Sequence, residues 1–132
     1  MPYSRFFLTI STNSTDLEMK PRLKQLFSEI VAHLEQYLIF RKVGHDASLI
    51  ESIKVPGASI EISSKMKYVH LHALIEIKHR SNIQLDSAKV RQKVISSLGV
   101  SPHVDNKYVE QSEVERILAY INKGIANNLY KK

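Results

Sequence analysis

The segment Tyr68-Val69-His70-Leu71-His72-Ala73-Leu74-Ile75-Glu76-Ile77 places two histidines two residues apart in a largely apolar run. Residues two apart share a face of an extended strand. His70 and His72 therefore stand side by side and can ligate one divalent cation. Val69, Leu71, Ala73, Ile75 and Ile77 make up the opposite face, which is wholly apolar. A third ligand is available in Glu61, which belongs to the preceding alternating segment Ala58–Ser63. If Ser64–Lys67 turns the chain back on itself, Glu61 arrives alongside His70. Glu76 shares the histidine face but lies about 13 Å along the strand axis from His72. Two imidazoles with one carboxylate suit magnesium or manganese, and zinc could bind the same set without supporting turnover.

A second chemical pair lies far along the chain, in Tyr120-Ile121-Asn122-Lys123. Residues three apart on a helix sit side by side. A phenol with its reference pKa of about 10 is a poor nucleophile at neutral pH. A nearby ammonium or metal ion favours the phenolate and activates it. Lys123 can supply that charge, or it can hold a phosphate or a metal-bound water.

These groups need elements to position them. Phe6–Ser11 alternates as a first strand. Ser14-Thr15-Asp16 offers capping oxygens, and Leu23, Leu26, Phe27, Ile30, Val31 and Leu34 follow at helical spacing, predicting an amphipathic helix over about 17–36 with Pro21 near its start. Tyr37–Val43 fits either a helical extension or a short strand, and 44–53 has no clear period. Pro56-Gly57 reads as a turn before the strand Ala58–Ser63. Asp86–Leu98 is a second helix stopped by Gly99. A further short strand falls within Val100–Val109, around His103–Val104 or Tyr108–Val109. Ser112-Glu113-Val114-Glu115 opens a last helix, through Ile121 and past Lys123. The order β–α–β–β–α–β–α predicts an α+β fold: an antiparallel sheet with helices on one face, the open face carrying His70, His72 and Glu61.

With 132 residues and 43% apolar composition, the chain reads as a single domain, 1–132, with a sizeable core. It contains no cysteine, which excludes disulfides, thiolate zinc sites and thiol nucleophiles. No apolar run approaches the roughly 20 residues that span a bilayer, and Met1–Arg5 leads straight into a strand rather than a secretory signal. The net charge of +6 favours a polyanionic partner such as nucleic acid. There is no Gly-rich phosphate loop of the ATPase type.

Taken together, His70-Leu71-His72 and Tyr120-Ile121-Asn122-Lys123 resemble the His-hydrophobic-His and Tyr-x-x-Lys motifs of the replication-initiator, or HUH, endonucleases. Phe6-Phe7-Leu8-Thr9-Ile10-Ser11 resembles their first motif, and the three stand in family order across nearly the whole chain. The closest likeness is to the Rep nuclease domains of small circular single-stranded DNA viruses and plasmids. Ile10-Ser11 stands where a proline or asparagine often follows the motif threonine, Gly124 follows the motif lysine, and Tyr130 does not share the face of Tyr120, which reads as a single-tyrosine enzyme.

The resemblance implies an RRM-like or ferredoxin-like fold and a Mg2+ or Mn2+ ion on Glu61, His70 and His72. It implies Tyr120 as the nucleophile that nicks and rejoins single-stranded DNA through a 5′-phosphotyrosine link, assisted by Lys123. Separately from the resemblance, the basic residues Arg5, Lys65, Lys67, Lys78, Arg80, Lys107, Lys131 and Lys132 could track the phosphates of an origin hairpin or single strand, with Arg41 and Lys42 as further candidates, and Thr9 and Ser11 of the first strand are expected to bind DNA beside them. A downstream helicase domain, host replication proteins and oligomerisation on DNA are the implied partners. The implied location is intracellular: the host nucleus for a eukaryotic virus, otherwise the cytoplasm. Two alternatives are a single-tyrosine transposase of the same superfamily and a non-catalytic nucleic-acid-binding α+β module.

Overall fold

The computed structural model describes residues 3–40, 50–79 and 83–123. The strand carrying the histidines, β4 (Val69–His79), is hydrogen-bonded on both sides. It pairs antiparallel with β1 (Tyr3–Ser11) and with β3 (Ile50–Ile62). β6 (His103–Tyr108) pairs with the free side of β1, giving the sheet order β3-β4-β1-β6. Two helices connect these strands, α1 (Met19–Ala32) and α2 (Ser87–Leu98). The result is the split β-α-β arrangement of the βαββαβ class, an α+β fold of RRM-like type. A second, two-stranded sheet joins β2 (Leu38–Phe40) to β5 (Ile83–Leu85).

Alternation separates the two faces of the main sheet as the sequence implies. Phe6, Leu8, Ile10, Ala58, Ile60, Val69, Leu71, Ala73, Ile75 and Ile77 are buried in one core with Leu23, Phe27 and Ile30 of α1 and Val90, Val94 and Leu98 of α2. The Asp86 carboxylate caps α2 by accepting from the Ala88 and Lys89 backbone N–H groups. Gly99 ends it in the left-handed conformation at φ 66°, where a side chain would be strained. Among the described residues no helix is long and apolar enough to cross a membrane.

The structure corrects the sequence reading in four places. The first helix ends at Ala32 and is followed by a 3-10 turn, Leu34–Tyr37, rather than running to residue 36. Ser14 and Asp16 accept from the Asp16 and Glu18 N–H groups, so they brace the loop before α1 instead of capping it. Pro56-Gly57 lies inside β3, where the register shifts between Lys54 and Gly57; an irregularity of this kind tolerates a proline without a ladder donor. Of the two alternatives left open for Tyr37–Val43, the short strand is the one formed, as β2 at Leu38–Phe40, and 41–43 lie outside the described residues.

The fourth correction concerns the helices, which do not all pack on one face. The last, α3 (Val114–Asn122), lies on the histidine face, where Ile121 joins Leu74 and Val109 in a second small core with Phe7, Val114, Ile117 and Leu118 around it. Phe7 and Leu74 are apolar side chains on that face, and α3 removes them from water. Close approach of α3 depends on Gly57. A Cβ there would stand 3.1 Å from Leu118 Cδ2 and 3.5 Å from Ile121 Cγ2. Gly57→Val is therefore expected to lift α3 at a cost of about 1–3 kcal/mol. Amide exchange should then accelerate across 114–122 while β1 and β4 keep their protection; unchanged exchange in α3 would refute the contact.

Candidate active site

The register sets the three candidate ligands in one patch. Glu61 lies opposite His70, and His72 lies opposite Thr9 and Ser59. Glu61 Oε2 is 3.6 Å from His70 Nε2 and 4.0 Å from His72 Nε2, and the imidazole centroids are 4.6 Å apart. All three ligand atoms fall within 4.8 Å of one another. Two atoms each about 2.1 Å from one metal ion can be no more than about 4.2 Å apart. The two carboxylate–imidazole separations meet that limit.

Hydrogen bonds on the far side of each ring point the lone pairs inward. His70 Nδ1 lies 3.3 Å from the Tyr68 carbonyl, which only accepts, so Nδ1 carries the proton and Nε2 is left with its lone pair. His72 Nδ1 lies 3.3 Å from Thr9 Oγ1. Donation to that hydroxyl leaves the His72 Nε2 lone pair facing Glu61, and a hydrogen bond from the other ring nitrogen is how metal-ligating histidines are commonly oriented. His72 Nε2 is buried and makes no hydrogen bond. An unmatched buried polar atom costs about 1–3 kcal/mol, and a metal ion at this point would satisfy it. The donor set and the orphaned nitrogen thus fit a divalent cation. Burial above all, with electrostatic repulsion from the neighbouring His70 and Lys123 positions, lowers the His72 pKa to about 4, so the ring is neutral and competent to ligate at pH 7.

Tyr120 reaches this patch from α3. Its ring lies 5.1 Å from that of His72 at 77°, and 6.2 Å from Phe7 at 89°; Phe7 in turn stacks on His72 at 5.7 Å. Tyr120 remains 42% exposed, which leaves room for a substrate. Lys123 Nζ stands 4.5 Å from the centroid of the Tyr120 ring, in cation–π contact. Thr9, Ser11, Glu61, His70, His72, Tyr120 and Lys123 all line one cleft of about 990 Å³.

The other sequence-derived DNA candidates are spread more widely. Arg5 Nε pairs with Glu76 at 2.9 Å, and Lys78 with Glu51 at 3.4 Å. Lys65 and Lys67 are exposed on the β3–β4 turn without lining the cleft, and Lys107 lines a smaller cavity of about 250 Å³ beside α3. Among the remaining histidines, His33 and His103 are exposed and His79 is buried against Phe40. Arg41, Lys42, His45, Arg80, Gly124, Tyr130, Lys131 and Lys132 lie outside the described residues. Sequence reasoning missed Lys20, which enters the cleft from α1 along with Ser63, Ser64, Met66 and Tyr68. Nothing in local spacing links Lys20 to the histidines; only the chain path from β1 into α1 brings it there.

No family model and no curated protein matches the chain. Among solved structures, the full extracellular region of zebrafish Gpr126/Adgrg6 is similar over 82% of this chain at 12% identity and a TM-score of 0.31. The chain spans 13% of the length of that protein. A likeness at this level fixes no property of the present chain.

Two outcomes follow from the site geometry. His72→Ala should abolish manganese binding in calorimetry, and Thr9→Val should weaken it about tenfold through the lost imidazole anchor; unchanged affinity in both would exclude the site. The metal-free protein should also lose stability as pH falls. Unfolded His72 takes up a proton near pH 6.5 and the folded form only near pH 4, so the unfolded state binds more protons between these values. Stability is fully present above about pH 6.5 and declines by up to about 3 kcal/mol toward pH 4. Urea titrations with chelator should find that slope diminished in His72→Gln.

Proposed function

We propose that this chain is a metal-dependent DNA strand transferase, which nicks single-stranded DNA at a replication origin and rejoins it through a covalent 5′-phosphotyrosine link. Such an enzyme initiates rolling-circle replication. The observation that carries the reading is the packing of Tyr120 against His72. A tyrosine distant in sequence meets a converging two-histidine, one-carboxylate set in a single open cleft, and its own lysine lies against its ring.

Glu61, His70 and His72 would hold the ion. A divalent cation bound there supplies Lewis-acid polarisation of a phosphodiester. Thr9 and the Tyr68 carbonyl keep the two imidazoles oriented. The Lys123 ammonium lies against the Tyr120 ring, and the phenolic proton passes to water. Tyr120 Oη attacks phosphorus, the P–O3′ bond breaks, and the departing 3′-oxygen takes a proton from water. The strand on the 3′ side of the cut is left as a phosphotyrosine ester, and the other strand ends in a free 3′-hydroxyl able to prime synthesis. Attack by a 3′-hydroxyl on that ester restores the phosphodiester and frees Tyr120. One phosphodiester is exchanged for another, so neither step needs ATP.

The non-catalytic binding module has less support. Such modules stack bases on exposed aromatics of the sheet, but here Phe7 is partly buried beneath α3. Incubation of a randomised single-stranded DNA pool with protein and manganese should yield an adduct that survives denaturation and maps to Tyr120 by mass spectrometry. Chelator should abolish it, and Tyr120→Phe should abolish it while DNA affinity stays within about twofold. Binding with no adduct across the pool would instead favour the binding module.

A further inference from the structure

The cleft is ordered along the sheet. Tyr120 and Lys123 stand at one end, beside His72. Glu61 and His70 follow, one step nearer the β3–β4 turn. Beyond them come Tyr68, Met66 and, from the first turn of α1, Lys20. Hydrogen bonds tie that far end together. Thr12 N donates to Val69 O at 3.0 Å, and Val69 N donates to Ser14 O at 2.9 Å, so the connection that leads into α1 is fastened beside the start of β4. Ser63 braces the turn by accepting from Tyr68 N through Oγ at 2.9 Å and donating its own N–H to Tyr68 O.

Lys20 is half-buried in this end of the cleft, and no hydrogen bond or ion pair engages its ammonium among the described residues. Met66 and Ile62, at 58% and 40% exposure, present apolar surface in the same place, and Tyr68 adds a half-buried ring. An unpartnered cation beside exposed apolar and aromatic surface can hold one nucleotide, with its phosphate on the ammonium and its base on the apolar wall.

In-line displacement decides which nucleotide that is. The leaving oxygen departs on the side of phosphorus opposite the attacking one. Tyr120 attacks from the α3 end, so the 3′-oxygen leaves toward the turn. We infer that Lys20, Met66, Ile62 and Tyr68 form the subsite for the nucleotide on the 5′ side of the cut. This subsite retains the 3′-hydroxyl strand for rejoining, and the DNA crosses the sheet with its 5′ end over the β3–β4 turn and its 3′ end toward α3. The inference rests on the nicking reading above.

Two binding measurements test it without requiring cleavage. In the Tyr120→Phe protein with manganese and a randomised 30-nucleotide single strand, Lys20→Gln should weaken binding about tenfold. It should also reduce the salt slope by about 0.7, the value for one phosphate contact on a single strand. Lys20→Arg should retain both values, and manganese affinity should not change. An unaltered slope in Lys20→Gln would overturn the phosphate contact. For polarity, the absence of cysteine lets Lys65→Cys carry one acceptor dye on the turn. Randomised eight-nucleotide strands with a donor at the 5′ end should transfer more efficiently than the same strands labelled at the 3′ end. Equal or reversed efficiencies would overturn the assigned direction. Failure of the nicking reading is a separate result, the lack of any adduct in the unsubstituted protein.

Discussion

The site depends on the register of β4. This strand is paired along both edges, and its alternation sends Val69, Leu71, Ala73, Ile75 and Ile77 into one core while His70 and His72 face the cleft. A slip of one residue would exchange the two sets. It would bury two imidazoles beneath α1 and α2 with no partner and turn five apolar side chains toward the cleft, so hydrophobic burial and polar satisfaction both select the observed pairing. Because β1 and β3 are aligned to the same strand, one register choice delivers Thr9 to His72 and Glu61 to His70 at once.

Helix α3, packed on the histidine face, shapes the chemistry of these groups. Phe7 and Tyr120 lie against the His72 ring and help to exclude water from it, and burial is the main reason its proton affinity is low. The element that brings the tyrosine therefore also keeps the neighbouring imidazole in its neutral form. Lys123 acts in the same direction: its charge disfavours the imidazolium.

Much of this was legible in the sequence because strand alternation is a strict period. Glu61, His70 and His72 could be placed on one face by counting, and the α+β class followed from the order of patterned segments. The side taken by α3 was harder to read, since an amphipathic helix satisfies its period on either face of a sheet. The available signal was Phe7 and Leu74, two apolar side chains on the face otherwise occupied by polar groups, which required a cover. Pro56-Gly57 misled because the pair is common in turns, whereas here it accompanies a register shift within one strand. The β2–β5 pair joins three-residue segments remote in sequence, too short for any period to register. Lys20 is a product of tertiary path, and such proximity leaves no local trace.

The sheet also divides the molecule into two unequal energetic units. The main core holds α1, α2 and the inner face of all three longest strands, while among the described residues α3 is retained by a handful of apolar contacts around Leu74, Val109 and Ile121. Local opening of a small unit requires only a fraction of the global unfolding free energy. The Glu61, His70 and His72 cluster and the Tyr120 phenol accordingly belong to different cooperative units. α3 can detach and return while the strands bearing Glu61, His70 and His72 stay folded, so the lifetime of the closed site is set by the few side chains that Gly57 admits to the surface of the sheet.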